Sequence, residues 1–213
     1  PGMSGKAEVI LVHGLWFGAW TMRPLARALL KSGYDVRRFN YRTTRGGLAA
    51  HARRLRGFAA RSKHRQQHFV AHSLGGLVTL QMLADFRDLP PGRLVFLASP
   101  VHGSRVARKT RKIPGSRKLL GEVRSALESG FRPLTMKRDA GMIDGSKTIG
   151  LGMLVGGPGG PGDGTVSISE TRLEGLKDHL VLPVTHTSIL YSPEVASQAV
   201  HFLQTGGFMH PNA

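Results

Sequence analysis

The segment Ala71-His72-Ser73-Leu74-Gly75-Gly76 sets a serine between an apolar run, His68 to His72, and residues at helical spacing, Leu77, Leu80 and Ala84. A serine at a sharp strand-to-helix turn is pushed out of the sheet and becomes available as a nucleophile. Small residues two before and two after it are needed because backbone segments approach closely there. Ala71 stands where the usual G-x-S-x-G pattern has its first glycine, adding a methyl group without breaking the steric logic. The helix that follows aims its positive end at the serine, where a developing oxyanion would be stabilised. The same segment also fits a glycine-rich turn in which Ser73 is merely the N-cap of an ordinary helix.

A second apolar run, Val9 to Val12, ends at His13-Gly14-Leu15-Trp16. A turn of that kind at a strand end supplies another backbone N–H, so Leu15 and Leu74, the residue after the serine, form the expected oxyanion pair. Their side chains are incidental to that role.

With these segments the chain resembles the α/β-hydrolases, most closely the bacterial lipase and esterase branch. The resemblance rests on Val12-His13-Gly14-Leu15, on the Ser73 segment, on Ser99-Pro100-Val101-His102-Gly103-Ser104 and on Asp163-Gly164-Thr165-Val166-Ser167, in that order. It implies an α/β-hydrolase fold, a mostly parallel central sheet with helices on both faces, and a catalytic triad in the order Ser, Asp, His. Asp163 follows a β-like run and a Gly/Pro-rich stretch, which suits a carboxylate at a strand's C-terminal edge. An Asp-Gly turn with no catalytic part is the other reading. Asp144 competes, but it precedes the β-like run Thr148 to Val155 and is expected on its far edge.

His186 lies in the loop Thr185-His186-Thr187-Ser188, after the expected strand Leu180 to Val184 and before the last helix. An imidazole there can reach both serine and aspartate, as a general base must. His179 opens that strand at its other end, His201 lies in a helix and His210 in a tail. His72 is expected to point away, since neighbouring side chains in an extended segment alternate. In such a triad His186 takes the Ser73 proton, the Leu15 and Leu74 amides hold the oxyanion and Asp163 orients the imidazole. No metal or organic cofactor is called for, and neither a dinucleotide fingerprint nor metal-ligand spacing is present.

The elements that must position these residues follow an alternating pattern of apolar β-rich runs and helix-period segments, as when parallel strands are joined by crossover helices. Leu25, Ala28 and Leu29 mark one helix, ended by Gly33, with a strand from Tyr34 to Asn40 after it. Leu48, Ala52, Leu55 and Ala59 mark another, and Arg93 to Ala98 a further strand. Ser192-Pro193 starts the last helix, with Val195, Ala199 and Phe202 on its buried stripe and Gly206 at its end. Between Val101 and Lys147 the alternation fades and Arg and Lys outnumber the acids, the pattern of a cap or lid inserted over the sheet. Within it Leu119, Leu120, Val123 and Leu127 repeat at helical spacing, with Arg117, Lys118 and Arg124 beside them.

The 213 residues suit a single domain spanning 1–213, with the basic insertion at about 101–147. No apolar run approaches the roughly 20 residues of a membrane-spanning helix, so a soluble protein is expected, and the lack of cysteine fits the reducing, cytoplasmic compartment expected for it. The absence of cysteine excludes disulfides and thiolate sites. Thirty Lys and Arg against 13 Asp and Glu give a net charge of +17, a field that draws in polyanions, anionic lipid surfaces and acidic ligands. Leu15, Trp16, Phe17, Ile189 and Leu190 suggest an apolar acyl pocket.

The expected function is therefore serine carboxylester hydrolysis of a small-molecule ester or lipid-like substrate, with an anionic membrane surface as a further partner. Thioesterase and acyltransferase activities share the same machinery. A basic module binding nucleic acid or anionic membrane on a hydrolase scaffold is the alternative from another class. Against it, no nucleic-acid motif is visible and aromatic residues do not interleave with the basic runs.

Overall fold

A computed structural model describes residues 6–131 and 137–210. Six parallel strands form one sheet in the order β2-β1-β3-β4-β5-β6: β1 Glu8–Val12, β2 Asp35–Phe39, β3 Gln67–His72, β4 Leu94–Leu97, β5 Ala140–Gly145 and β6 Asp178–Leu182. The strands β1, β3, β4 and β5 are buried along their whole length. In β1, β3 and β4 that burial on both faces is why the sequence reads as a largely continuous apolar run rather than an alternating one.

The pleat divides their side chains between two cores. Ile10, Val12, Phe69, Ala71, Phe96 and Met142 pack on one face with Ala52 and Leu55 of α2 (Leu48–Ala59) and Leu77 of α3 (Leu74–Asp85). Val9, Leu11, Val70, Val95 and Ile143 pack on the other face. There they meet Leu25 and Leu29 of helix Arg23–Lys31 (α1), and Val195, Ala199 and Phe202 of the C-terminal helix Pro193–Thr205. The Ser192 hydroxyl caps that last helix on the Val195 amide at 3.3 Å, and Gly206, at φ 88°, ends it. No helix among the described residues is long and apolar enough to cross a membrane.

From β1 the chain first builds outward to β2, then returns to place β3 on the other side of β1. In open parallel sheets the crevice at such a reversal, beyond the carboxyl ends of the strands, is where ligands bind. Val12 and Ala71 are register partners across it, so Gly14-Leu15 and Ser73-Leu74 leave the sheet side by side.

Three expectations from the sequence are corrected. The run Thr148 to Val155 is not a strand; it holds a short 3-10 helix, Leu151–Val155, and the strand lies at Ala140–Gly145, inside the interval 101–147. This strand is disguised by Gly141, where a Cβ would come within 2.6 Å of the rings of both Phe202 and Phe208. Aromatic rings occupy the space that a β-branched residue would have filled.

The interval 101–147 thus contains an element of the central sheet, and short helices occupy much of its described irregular part. These are α4 (Arg105–Lys109), α5 (Ser116–Leu120) and α6 (Arg124–Ser129). The stripe Leu119, Leu120, Val123 and Leu127 is not one helix. It breaks at Gly121, φ 61°, where a Cβ would meet the Thr44 carbonyl oxygen at 2.0 Å. Leu120, Val123 and Leu127 are buried, Leu119 is exposed, and Arg124 is turned onto Glu128 instead of facing solvent freely.

Candidate active site

Ser73 is the hinge between β3 and α3, at φ 52° and ψ −121°. That backbone conformation is sterically costly for a residue with a Cβ and persists only where its surroundings enforce it. Here they do. The Ser73 amide still donates to Leu97 O at 2.9 Å, while α3 begins at the next residue and runs close under β1. A Cβ on Gly75 would lie 2.4 Å from Val12 O and 2.7 Å from His13 O, and one on Gly76 would lie 2.1 Å from the Ser99 hydroxyl. The two glycines let the helix start against the neighbouring strand end, and the serine takes the resulting strain.

The Ser73 hydroxyl meets His186 Nε2 at 3.0 Å, and His186 Nδ1 meets Asp163 Oδ2 at 2.6 Å. All three residues are largely buried. The His186 amide also donates to Asp163 O at 3.1 Å, so backbone as well as side chain fixes the pair. The other carboxylate oxygen of Asp163 accepts from the amides of Thr165 at 2.9 Å and Val166 at 2.8 Å. Burial works to raise the Asp163 carboxyl, but the adjacent His186 and these hydrogen bonds outweigh it and hold the group below the ordinary carboxylate range. The carboxylate is therefore ionised and aimed at the imidazole, leaving Nε2 to act on the serine.

The turn carrying Asp163 is pinned from below. Ser167 and Glu170 form a capping box at the helix Ile168–Thr171 (α7), and Glu170 Oε1 also accepts from the Arg105 amide at 2.5 Å. The Glu170 carbonyl accepts from the His102 amide at 2.9 Å. So the segments Ser99 to Ser104 and Asp163 to Ser167, separate in sequence, brace each other.

Leu74 is the first residue of α3, where an amide has no acceptor within the helix. Leu15 follows Gly14 in a turn closed by the Phe17 amide on Gly14 O at 3.3 Å. Trp16, at φ 61°, holds that turn from two sides: its amide donates to the Thr43 hydroxyl at 3.1 Å and its indole Nε1 to Leu119 O at 2.8 Å. Gly14 is required here, since its Cβ would sit 2.8 Å from His72 Nδ1 and 3.0 Å from Ser73 Cβ.

Asp144 lies not on the far edge of a following strand but within the C-terminal end of β5. Its Oδ2 accepts from Thr171 Oγ1 at 2.5 Å and from His179 Nε2 at 2.6 Å, so it has a histidine of its own. Burial raises its carboxyl above the ordinary range, and the nearby charge of Asp163 pushes the same way. Gly145, one residue on, leaves the space against which Asp163 packs: a Cβ there would be 2.8 Å from Asp163 Cβ.

His72, expected to turn away from the site, instead supports it. Its Nε2 donates to the His186 carbonyl at 3.0 Å, and the two rings lie 4.8 Å apart. Complete burial, with the neighbouring His186 ring adding to it, pushes this imidazole down to about 3, so it remains a neutral donor. Nothing in the local pattern signals this role, because the partner is 114 residues away.

The residues expected to line an acyl pocket are drawn into different parts of the structure. Ile189 and Leu190 are buried in the core with α1 and the C-terminal helix, and Phe17 packs against the same core. Leu15 packs against the other core, and Trp16 is half exposed. A cavity of about 510 Å³, lined by Phe86, Arg87, Arg93, Arg138 and Asp139, lies by the amino ends of β3, β4 and β5, away from the carboxyl ends that carry the site, and touches none of Ser73, Asp163 or His186.

The model of the alpha/beta hydrolase family matches residues 9–182. No curated protein matches the chain significantly. Among solved structures, the mature form of the lipase BlEst2 of Bacillus licheniformis is similar at 19% identity, with a TM-score of 0.69 over 95% of this chain and 93% of that one. The metagenomic carboxyl esterase MGS0156 is similar at 15% identity, with a TM-score of 0.70 over 95% of this chain and 75% of that one. YbtT, a type II thioesterase from a yersiniabactin biosynthetic pathway, is similar at 13% identity, with a TM-score of 0.65 over 97% and 96% of the two chains. At these identities the likeness is one of fold.

Proposed function

Because this chain belongs to the alpha/beta hydrolase family, we propose that it is a serine carboxylester hydrolase working through Ser73, His186 and Asp163. The single observation that carries this is the continuous relay from the Ser73 hydroxyl through both ring nitrogens of His186 to the buried Asp163 carboxylate.

The Ser73 oxygen attacks the acyl carbonyl carbon as His186 Nε2 takes its proton. The carbonyl oxygen becomes an oxyanion received by the Leu15 and Leu74 amides, and the imidazolium is stabilised by Asp163. The carbon–oxygen bond to the alcohol then breaks, and the leaving alkoxide takes the proton back from Nε2. Water repeats the sequence on the acyl-enzyme: His186 accepts one of its protons, the hydroxide adds, and Ser73 leaves as the free hydroxyl with release of a carboxylic acid.

A lipid-like ester is the favoured substrate, with thioesters competing for the same chemistry. The test is hydrolysis of p-nitrophenyl esters of increasing acyl length, run beside an acyl thioester series. The proposal expects ester turnover that Ser73→Ala abolishes, whereas turnover confined to thioesters would replace esterase by thioesterase.

A further inference from the structure

Large apolar side chains left in water are concentrated around the carboxyl ends of the strands. Leu154 is 83% exposed and Ile149 72%, with Trp16, Leu119 and Met153 close to half exposed and Ile113 not far below. They belong to the segments that follow β1, β4 and β5, and contacts join these segments into one surface around Ser73. The Trp16 indole donates to Leu119 O. Lys109 Nζ reaches Gly157 O at 3.1 Å, and Gly152 packs on Val106 and on Gly164, beside Asp163.

Interleaved with them are cations that the molecule leaves uncompensated. Arg111 and Arg124 pair with Glu128, and Arg108 with Glu170. Arg105, Lys112, Arg117 and Lys118 are exposed and have no carboxylate partner among the described residues. Two of the exposed apolar groups adjoin them directly in sequence: Lys112-Ile113 and Arg117-Lys118-Leu119.

Exposed aliphatic groups set beside unpaired cations suit one kind of partner best. Hydrocarbon must receive the first and phosphate-bearing headgroups the second. A nucleic acid would engage the cations but leave Leu154 and Ile149 in water. We infer that this surface docks on anionic lipid, presenting Ser73 to esters held in that layer. The inference rests on the esterase proposal only for the last step, delivery of substrate; docking itself does not require catalysis.

Both tryptophans of the chain, Trp16 and Trp20, lie in the loop after β1 and are at least half exposed, so intrinsic fluorescence reports on this face without any turnover. The experiment uses the full chain carrying Ser73→Ala, mixed with vesicles of phosphatidylglycerol or of phosphatidylcholine. The expected result is a blue shift of tryptophan emission and co-sedimentation with phosphatidylglycerol vesicles only. Leu154→Ser with Ile113→Ser should lower the partition coefficient at least tenfold. Lys112→Glu with Lys118→Glu should do the same at low salt. In a background that retains Ser73, neither pair should alter hydrolysis of a water-soluble acetate ester. Equal binding to both vesicle types, or phosphatidylglycerol binding unmoved by the apolar pair, overturns the inference. So does preferential binding of duplex DNA, or a dimer in solution that buries this face. Loss of ester hydrolysis with docking intact would instead strike only at the esterase proposal.

Discussion

His72 precedes Ser73 in the chain, yet its side chain hydrogen-bonds to the backbone of His186: the 3.0 Å contact from Nε2 to the carbonyl ties the nucleophile's strand to the loop that bears the base. His72→Phe keeps the ring volume and removes the donor. The expected result is a fall in kcat of about tenfold with KM nearly unchanged, since misplacing a catalytic group costs rate rather than substrate binding. His72→Gln, which restores a donor, should recover part of the loss. A purely structural role would lower the urea midpoint of both variants and leave kcat per folded molecule intact.

Acid stability follows from buried imidazoles. Burial depresses His72 to about 3. It likewise depresses His68 to about 4, with Arg93 and Arg138 adding to the effect, and lowers His13 and His51 in the same direction. In the unfolded chain each binds a proton near 6.5. The folded state resists protonation until far lower pH. The unfolded state therefore holds more protons across this window, and stability is complete above about pH 6.5 and falls as pH drops toward 4. Urea midpoints at pH 7 and pH 5 measure it. His51→Phe should flatten the slope, because that ring packs against Tyr41 and neither of its nitrogens finds a partner among the described residues. A pH-independent midpoint in the parent would contradict the account.

The two buried aspartates separate by partner. Asp163→Asn should lower kcat by roughly 10³ to 10⁴, because the amide favours the wrong imidazole arrangement. Asp144→Asn, which loosens His179 and Thr171, should lower the thermal midpoint while kcat stays within a few-fold. The reverse ranking would move the orienting role to Asp144.

How much of this was legible in the sequence depends on where the information sits. The strands around the reversal, Val9 to Val12 and His68 to His72, announce themselves because burial on both faces demands unbroken apolar runs. The turn at Ser73 is readable because close backbone approach admits few residue types. β5 was hidden, since Gly141 makes way for two aromatic rings, Asp144 pairs with His179 and Thr171, and Gly145 leaves room for Asp163. Gly121 broke an apparent helical stripe through contact with Thr44, which spacing within the stripe cannot reveal. Ile189 and Leu190 carry the composition of a pocket wall, but the core claims them. Asp163 and His186 were reachable only through the order of segments; what joins them is a tertiary contact.

If Ser73 and His186 act as one unit, Ser73→Ala and His186→Ala should each reduce ester hydrolysis by several orders of magnitude, and the double variant should be little worse than either. Multiplying losses, measured as kcat/KM on a common ester, would mean that the two residues contribute separately.

The most direct measurement is covalent. An alkyl fluorophosphonate reacts with a serine only when that oxygen has been made nucleophilic, and the adduct can be located by peptide mass spectrometry. The account predicts stoichiometric labelling on Ser73, strongly slowed in His186→Ala and absent in Ser73→Ala. Labelling at another serine, or an unreactive folded protein, would contradict it.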